Sequence, residues 1–343
     1  MLNPELKLNP KVFDKDVDQK PIRNGYGDGL LIAGEADPNV VVLCADLSES
    51  TRSEAFAKKY PERFFELGVA EQNMAAIAAG LGVSGKIPFI SSYAAFSPGR
   101  NWEQIRTTIS YNDSNVKIAG HHAGISVGPD GATHQAVEDI ATMRVLANMK
   151  VFVPCDAIEA KKATIAAAKL WGPTYIRFAR EKSPVMTTED TPFTPGKAEI
   201  MWNPSATATA GQAGSGQVGK PDVVIIGCGL LLHNALLAAK ELEKEKINVT
   251  VINSHTVKPL DEHTILEVAQ KAGAVVTVEE HQVSGGLGGA VAEFLAKKCP
   301  VPMEFIGLQN VFGESGAPLE LIEKYGMGVK DIVGAVKKVL KRK

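Results

Sequence analysis

Two segments carry side chains whose types and spacing suit chemistry. The first, Arg63–Gly85 (RFFELGVAEQNMAAIAAGLGVSG), runs a short aromatic strand into Gly68 and opens a helix near Ala70. That helix is apolar nearly all round, so it must be buried. Glu71 falls in its first turn, where an acid out of water is costly unless partnered. Read alone, Glu71 either complements the helix N-terminus or does proton chemistry. The second segment, Ala119–Ile140 (AGHHAGISVGPDGATHQAVEDI), places His121, His122, Asp130 and His134 around a glycine-rich loop that follows a strand. In an open parallel sheet, ligands sit where strand C-termini feed such loops. The histidines form no i, i+4 pair, and no cysteine or carboxylate ligand set surrounds them, so a metal site is disfavoured. Each histidine alone suits a structural place. As a set on one loop they suit a polar substrate pocket.

The elements that must position these groups alternate almost throughout. Val40–Leu47, Lys86–Ser92, Val116–His121, Lys150–Cys155 and Pro173–Phe178 read as buried strands. Ala70–Gly82, Gly99–Tyr111, His134–Leu146 and Asp156–Leu170 read as helices between them, the last with Asp156 as its cap. Such alternation predicts a parallel sheet covered by helices. From Pro184 to Lys220 the pattern stops; PVMTTEDTPFTPG and ATATAGQAGSGQVGK are small and polar. The second stretch reads as a flexible surface insertion in a linker. A new α/β series then runs from Asp222 to the end. The expected division is an N-terminal extension over 1–20, one domain over 21–190, a linker over 191–220 and a second domain over 221–343. The fold class expected is α/β, with two three-layer α/β/α domains and mostly parallel sheets.

Bulk numbers exclude several classes. The 343 residues suit two such domains, each with its own core. Lys and Arg number 37 against 39 Asp and Glu, a net charge of −2 that attracts neither nucleic acid nor an anionic membrane. No apolar run approaches a membrane span, and the charged N-terminus lacks a signal-like core, so a cytoplasmic protein is expected. Cys44, Cys155, Cys228 and Cys299 are far apart and read as reduced thiols.

Gly27-Asp28-Gly29 superficially matches the GDG that opens the diphosphate- and Mg²⁺-binding motif of thiamine enzymes. That motif needs an Asn-Asn pair about one βα unit downstream, because carboxylate and amide both ligate the metal. TRSEAFAKKYPERFF stands there instead, without an asparagine, and the match is rejected.

ELGVAEQNM, SYAAFSPGRNWEQIR and GPDGATHQAVEDIA together resemble the pyrimidine-binding domain of transketolase, in the form of the separate C-terminal subunit of two-chain transketolases. The resemblance implies that Glu71 hydrogen-bonds the aminopyrimidine N1′ of thiamine diphosphate. It implies that Tyr93 and Phe96 line the aminopyrimidine pocket, Tyr93 replacing a phenylalanine with a hydroxyl that needs its own partner. Asp46 matches an aspartate near the cofactor and the subunit junction. His134 matches a histidine that binds and deprotonates sugar hydroxyls, and Asp130 the acid that reads the donor's C2 hydroxyl. Arg23, Ser50, His122 and Arg180 match the group that holds the sugar's phosphate, a combination that suits a dianion. SHTVKPLDEHTI, VEEHQVSGGLGGAVAEFL and FGESGAP resemble the C-terminal domain that transketolases share with deoxyxylulose-phosphate synthases and 2-oxoacid dehydrogenase β-subunits. Its GGLGG run reads as an anion-binding helix start or a close-packing turn.

By this resemblance the chain is half of a transketolase of the pentose phosphate pathway, transferring two-carbon ketol units between sugar phosphates. It implies an N-terminal partner subunit, an α2β2 assembly, and Mg²⁺ or Ca²⁺ ligated mainly by that partner. The alternatives are a 2-oxoacid dehydrogenase β-like subunit or a deoxyxylulose-phosphate-synthase-like half.

Overall fold

Alternating strands and helices build two α/β domains in the computed structural model, which describes residues 1–204 and 219–343. The insertion expected over Ser205–Lys220 lies outside the described residues except for its final pair. From edge to edge, the first sheet holds Thr256–Lys258, Lys150–Phe152, Thr174–Arg177, Lys117–His121, Ile87–Tyr93, Val40–Cys44 and Phe64–Glu66. Every neighbouring pair is parallel except the one made by Thr256–Lys258. The second sheet runs Met303–Leu308, Val275–Gln282, Val223–Gly227 and Val249–Asn253 in parallel, with Glu199–Trp202 antiparallel at its edge. Val40–Cys44, Lys117–His121, Val223–Gly227 and Val249–Asn253 are buried at every position. Helices cover both faces, so these strands are continuous apolar runs rather than alternating ones.

The two domains are stitched together. Val249–Asn253 belongs to the second sheet, yet the next strand, Thr256–Lys258, pairs with Val151 and Phe152 of the first. The N-terminal segment also crosses between them. Leu2 bridges Trp202, while Gln19–Pro21 pairs with Lys182–Pro184.

Gly27-Asp28-Gly29 lies inside the helix Ile22–Ala36, which packs on the helix Ala157–Lys169. A Cβ on Gly25 would fall 1.9 Å from the carbonyl oxygen of Ala157, and one on Gly29 would fall 2.7 Å from the Thr164 Cβ. These glycines let two helices touch, in agreement with rejection of the metal-motif match. The GGLGG run is likewise explained by packing and capping. Glu279 accepts from the backbone N–H groups of Leu287 and Gly288 at 2.7 and 2.8 Å, so the protein's own carboxylate fills the helix N-terminus.

Two helices differ from the sequence pattern. Over Gly99–Tyr111, α-helix is confined to Trp102–Gln104 and gives way to wider π-type turns over Ile105–Ser110. The helix expected from His134 begins only at Asp139, because Ala136 forms a bridge with Ala123 and holds the preceding loop extended. All four cysteines are free thiols.

Candidate active site

Val40–Cys44 lies between Phe64–Glu66 on one side and Ile87–Tyr93 on the other. The chain leaves Val40–Cys44 toward Phe64–Glu66 and leaves Ile87–Tyr93 toward Lys117–His121 on the opposite side, so these two strands flank the switch point at which open α/β sheets form a crevice beyond their strand C-termini. Tyr93 ends such a strand, and Asp46, Ser50, Glu71, His122 and Arg180 follow strand C-terminal ends.

Glu71 opens the helix Glu71–Val83 and is 1% exposed. Its Oε2 accepts from Arg100 Nη1 at 2.6 Å, and Asn101 Nδ2 donates to its backbone oxygen at 3.1 Å. Oε1 is buried and has no hydrogen-bond partner among the described residues. The Arg100 guanidinium lies 4.5 Å from the centroid of Phe96, which stacks on Tyr93 at 5.9 Å and 18°. Tyr93 in turn stacks on His122 at 3.8 Å and 24°. His134 meets the edge of this group, 5.3 Å from Phe96 and 6.3 Å from Tyr93. Its Nδ1 is hydrogen-bonded to Thr133 Oγ1 at 2.9 Å. A flat heterocycle with a hydrogen-bond donor fits this arrangement: aromatic faces to rest on and one buried carboxylate oxygen awaiting a proton. Among the described residues the Tyr93 hydroxyl makes no hydrogen bond.

A cationic corner adjoins the aromatic stack. Arg23 Nη1 donates to the Ser50 carbonyl oxygen at 2.8 Å and lies 3.3 Å from His122 Nε2. Burial, then Arg52 and Arg180, lower the Arg23 pKa. Burial first, then Arg23 and Arg180, push His122 down to about 3, so the ring is neutral at ordinary pH. A half-buried Arg23 with Arg52 and Arg180 close by makes a site that gains strongly from an anion. Arg180 Nη1 donates to the Val127 carbonyl at 3.0 Å and to Glu181 at 2.9 Å.

Arg23, His122 and Arg180 thus come together with the Glu71–Tyr93–Phe96–His134 group, and Ser50 joins through its main-chain oxygen. Asp46 and Asp130 do not join by contact. Both are exposed, and neither carboxylate makes a hydrogen bond or ion pair among the described residues. Asp46 has a φ of 57° at the strand end, and its N–H donates to Glu66 Oε1 at 2.7 Å. His121 is buried between Tyr26 and Phe178, each ring centroid 4.8 Å away, and neither ring nitrogen has a partner among the described residues. Burial holds its pKa well below the ordinary histidine value.

Sequence reasoning missed Arg100, Asn101 and Arg52. Arg100 stood in view within SYAAFSPGRNWEQIR, but no spacing rule ties position 100 to position 71. The fold alone makes them neighbours.

A parallel α/β domain with a buried acid, an aromatic bed and a cationic corner at its switch point has the makeup of an enzyme's active site. Residues 18–185 match the family described as the transketolase pyrimidine-binding domain, and residues 214–332 match the transketolase C-terminal domain. The putative transketolase C-terminal section of Methanocaldococcus jannaschii is 41% identical across 94% of this chain and 97% of its own length. The 6-deoxy-6-sulfo-D-fructose transketolase subunit SqwH of a Clostridium species is 38% identical across 96% and 98%. A solved structure described as a split gene transketolase, inactive β4 tetramer, superposes with a TM-score of 0.84 at 45% identity, covering 94% of this chain and 98% of that one. The chain belongs to the transketolase family and corresponds to the C-terminal subunit of its split form. Among the described residues no helix is long and apolar enough to cross a membrane.

Proposed function

We propose that this chain, joined to an N-terminal partner subunit, transfers two-carbon ketol units between ketose and aldose phosphates with thiamine diphosphate. The observation that carries this reading is the buried Oε1 of Glu71, unpartnered beside Tyr93 and Phe96. Glu71 would accept a hydrogen bond from the aminopyrimidine N1′, and the two aromatic rings would hold the pyrimidine plane. Bound thiamine diphosphate supplies the nucleophilic carbon and the electron sink that carbon–carbon cleavage needs. Asp46 would stand at the junction with the partner, whose residues, with the diphosphate, would ligate Mg²⁺ or Ca²⁺.

His134, at the rim of the stack, would bind a sugar hydroxyl and take its proton. Asp130 would read the C2 hydroxyl from its exposed position on the same loop. Arg23, His122 and Arg180, with Ser50, would hold the terminal phosphate and fix the sugar's register. Neutral His122 donates or accepts without adding charge, and the arginines provide the countercharge. We further assign residues 21–190 and 221–343 to the two domains, an α2β2 assembly, and a cytoplasmic place in pentose phosphate metabolism.

Support for the partner comes from the relatives' names, a C-terminal section and a split gene product, each matched along nearly its whole length. A second reading of the donor has its own support, because the Clostridium relative is named for a sulfonated sugar. Arginines that hold a phosphate can hold a sulfonate. Reconstitution with a chain carrying the GDG and Asn-Asn motif, followed by turnover assays, decides between them. Xylulose 5-phosphate used far faster than 6-deoxy-6-sulfofructose supports the phosphate reading, and the reverse order supports the sulfonate. Pyruvate decarboxylation without ketol transfer would overturn both.

A further inference from the structure

Away from this crevice, a second group of ionisable side chains is closed off from solvent where the two domains meet. Glu159 comes from the helix Ala157–Lys169 of the first domain, and Glu199 from the edge strand Glu199–Trp202 of the second sheet. His255 lies in the short link between Val249–Asn253 and Thr256–Lys258, where the chain passes from one sheet to the other. The three are 1%, 7% and 0% exposed, and a ligand atom from each lies within 4.8 Å of the other two.

Their hydrogen bonds are incomplete in a consistent way. His255 Nδ1 is engaged with Thr256 Oγ1 at 3.0 Å, which leaves Nε2 as the other nitrogen, and among the described residues Nε2 has no partner. Glu199 Oε2 has none among them either. Asn253 donates to Glu159 Oε1 at 2.7 Å, while its own Oδ1 is left without a donor. Glu159 Oε2 is fixed by the Cys155 backbone N–H at 2.6 Å. His255 and Glu159 are thus held by outer partners, as metal-binding imidazoles and carboxylates are. The charge of Lys162 acts on both acids, while its ammonium donates to the carbonyl oxygens of Thr188 and Thr191.

We propose that Glu159, Glu199 and His255 bind one divalent transition-metal ion of the Zn²⁺ class, which ties the first domain to the second. An imidazole nitrogen with two carboxylate oxygens matches Zn²⁺ ligand chemistry. Ca²⁺ and Mg²⁺ are disfavoured, because they take six or more oxygen ligands or keep several waters. The competing occupants are protons. Burial and then the neighbouring Asp156 push Glu159 up to about 7, and burial and then Glu159 push Glu199 up to about 8, so protons compete with a metal for these oxygens. The site is assembled from both domains and closed to solvent, which makes the ion a clamp rather than a catalyst.

The test uses the full chain alone, without partner or thiamine diphosphate, so that no ion belongs to a cofactor site. Chain stripped with EDTA and dialysed is titrated with Co²⁺ at mildly alkaline pH. One Co²⁺ per chain is expected, with the visible absorption of a four- or five-coordinate site and displacement by Zn²⁺. Glu199→Gln and His255→Phe should each weaken binding by about tenfold or more. No uptake by the wild-type chain, or uptake unchanged in both variants, overturns the proposal. Should either variant fail to fold, an anomalous difference map at the zinc edge of Zn²⁺-soaked wild-type crystals decides the matter. A peak among the three side chains supports the site, and its absence overturns it.

Discussion

Arg100 Nη1 lies 2.6 Å from Glu71 Oε2, a pair whose acid is 1% exposed while the arginine side chain is 46% exposed. The arginine supplies the partner that a buried first-turn acid needs, and it does so from the rim of the crevice. One carboxylate oxygen is thereby satisfied and the other stays available. Arg100→Met should cost about 1–3 kcal/mol of stability, since it strands a buried carboxylate. The half-exposed guanidinium keeps the loss below that of a fully enclosed pair. Urea unfolding of Arg100→Met, Glu71→Gln and the double variant checks this, and the double variant should recover most of the loss. Additive effects would mean that the two side chains do not interact.

Glu71→Ala separates the role of the acid from that of its fold position. In the reconstituted complex this variant should abolish exchange of the cofactor's C2 proton, read by NMR in deuterated buffer. Exchange at the wild-type rate would remove Glu71 from the chemistry.

Arg180 tests the anion corner. Arg180→Ala should raise KM for phosphorylated donors far more than for an unphosphorylated analogue, with kcat less affected. Equal effects on both would rule out contact with the phosphate.

Both sheets were legible before any coordinates, because helices on both faces demand unbroken apolar strands, and runs such as VVVLC and DVVIIG declare themselves. Glu71 was legible as an oddity: an acid opening a helix otherwise too apolar to be exposed. His122 and Arg23 were linked only by the family resemblance and not by any spacing rule. Their 3.3 Å approach depends on a φ of 52° at His122 and on the packing of distant strands. The helix start at Asp139 was hidden for a similar reason. The local pattern from His134 is helical, but the Ala123–Ala136 bridge overrides it. The cluster of Glu159, Glu199 and His255 was invisible, since its members come from two domains and the passage between them.

His122 also sets a pH dependence. Its pKa is about 3 in the fold, against about 6.5 for a free histidine. Below the free value the unfolded chain takes up a proton that the folded chain refuses, so acid favours unfolding. The contribution is fully present above about pH 6.5 and drains away as the pH falls toward 3. His121, lowered by burial, acts in the same direction. Thermal unfolding across this range should show a falling Tm, with a shallower fall in His122→Gln. An identical acid limb in that variant would contradict the assignment.

Arg177 offers the largest single-site effect. Its Nε donates to Asp139 Oδ2 at 2.8 Å, and Tyr175 donates to the same oxygen at 2.6 Å. Its Nη2 donates to the Glu280 backbone oxygen at 2.8 Å, so this first-sheet strand reaches into the second domain. Glu280 returns the contact by accepting from the Ser126 N–H. Arg177 and Asp139 are 4% and 2% exposed, and no water replaces a lost partner there. Arg177→Leu should therefore destabilise the chain by about 3–5 kcal/mol, chiefly by leaving buried Asp139 without its ion-pair partner. Asp139→Leu added to Arg177→Leu should restore part of this, because removing both charges costs less than stranding one. Chemical denaturation of the single and double variants measures the difference. A double variant less stable than Arg177→Leu would show that the network's worth lies in its hydrogen bonds to Tyr175 and Glu280, not in the ion pair.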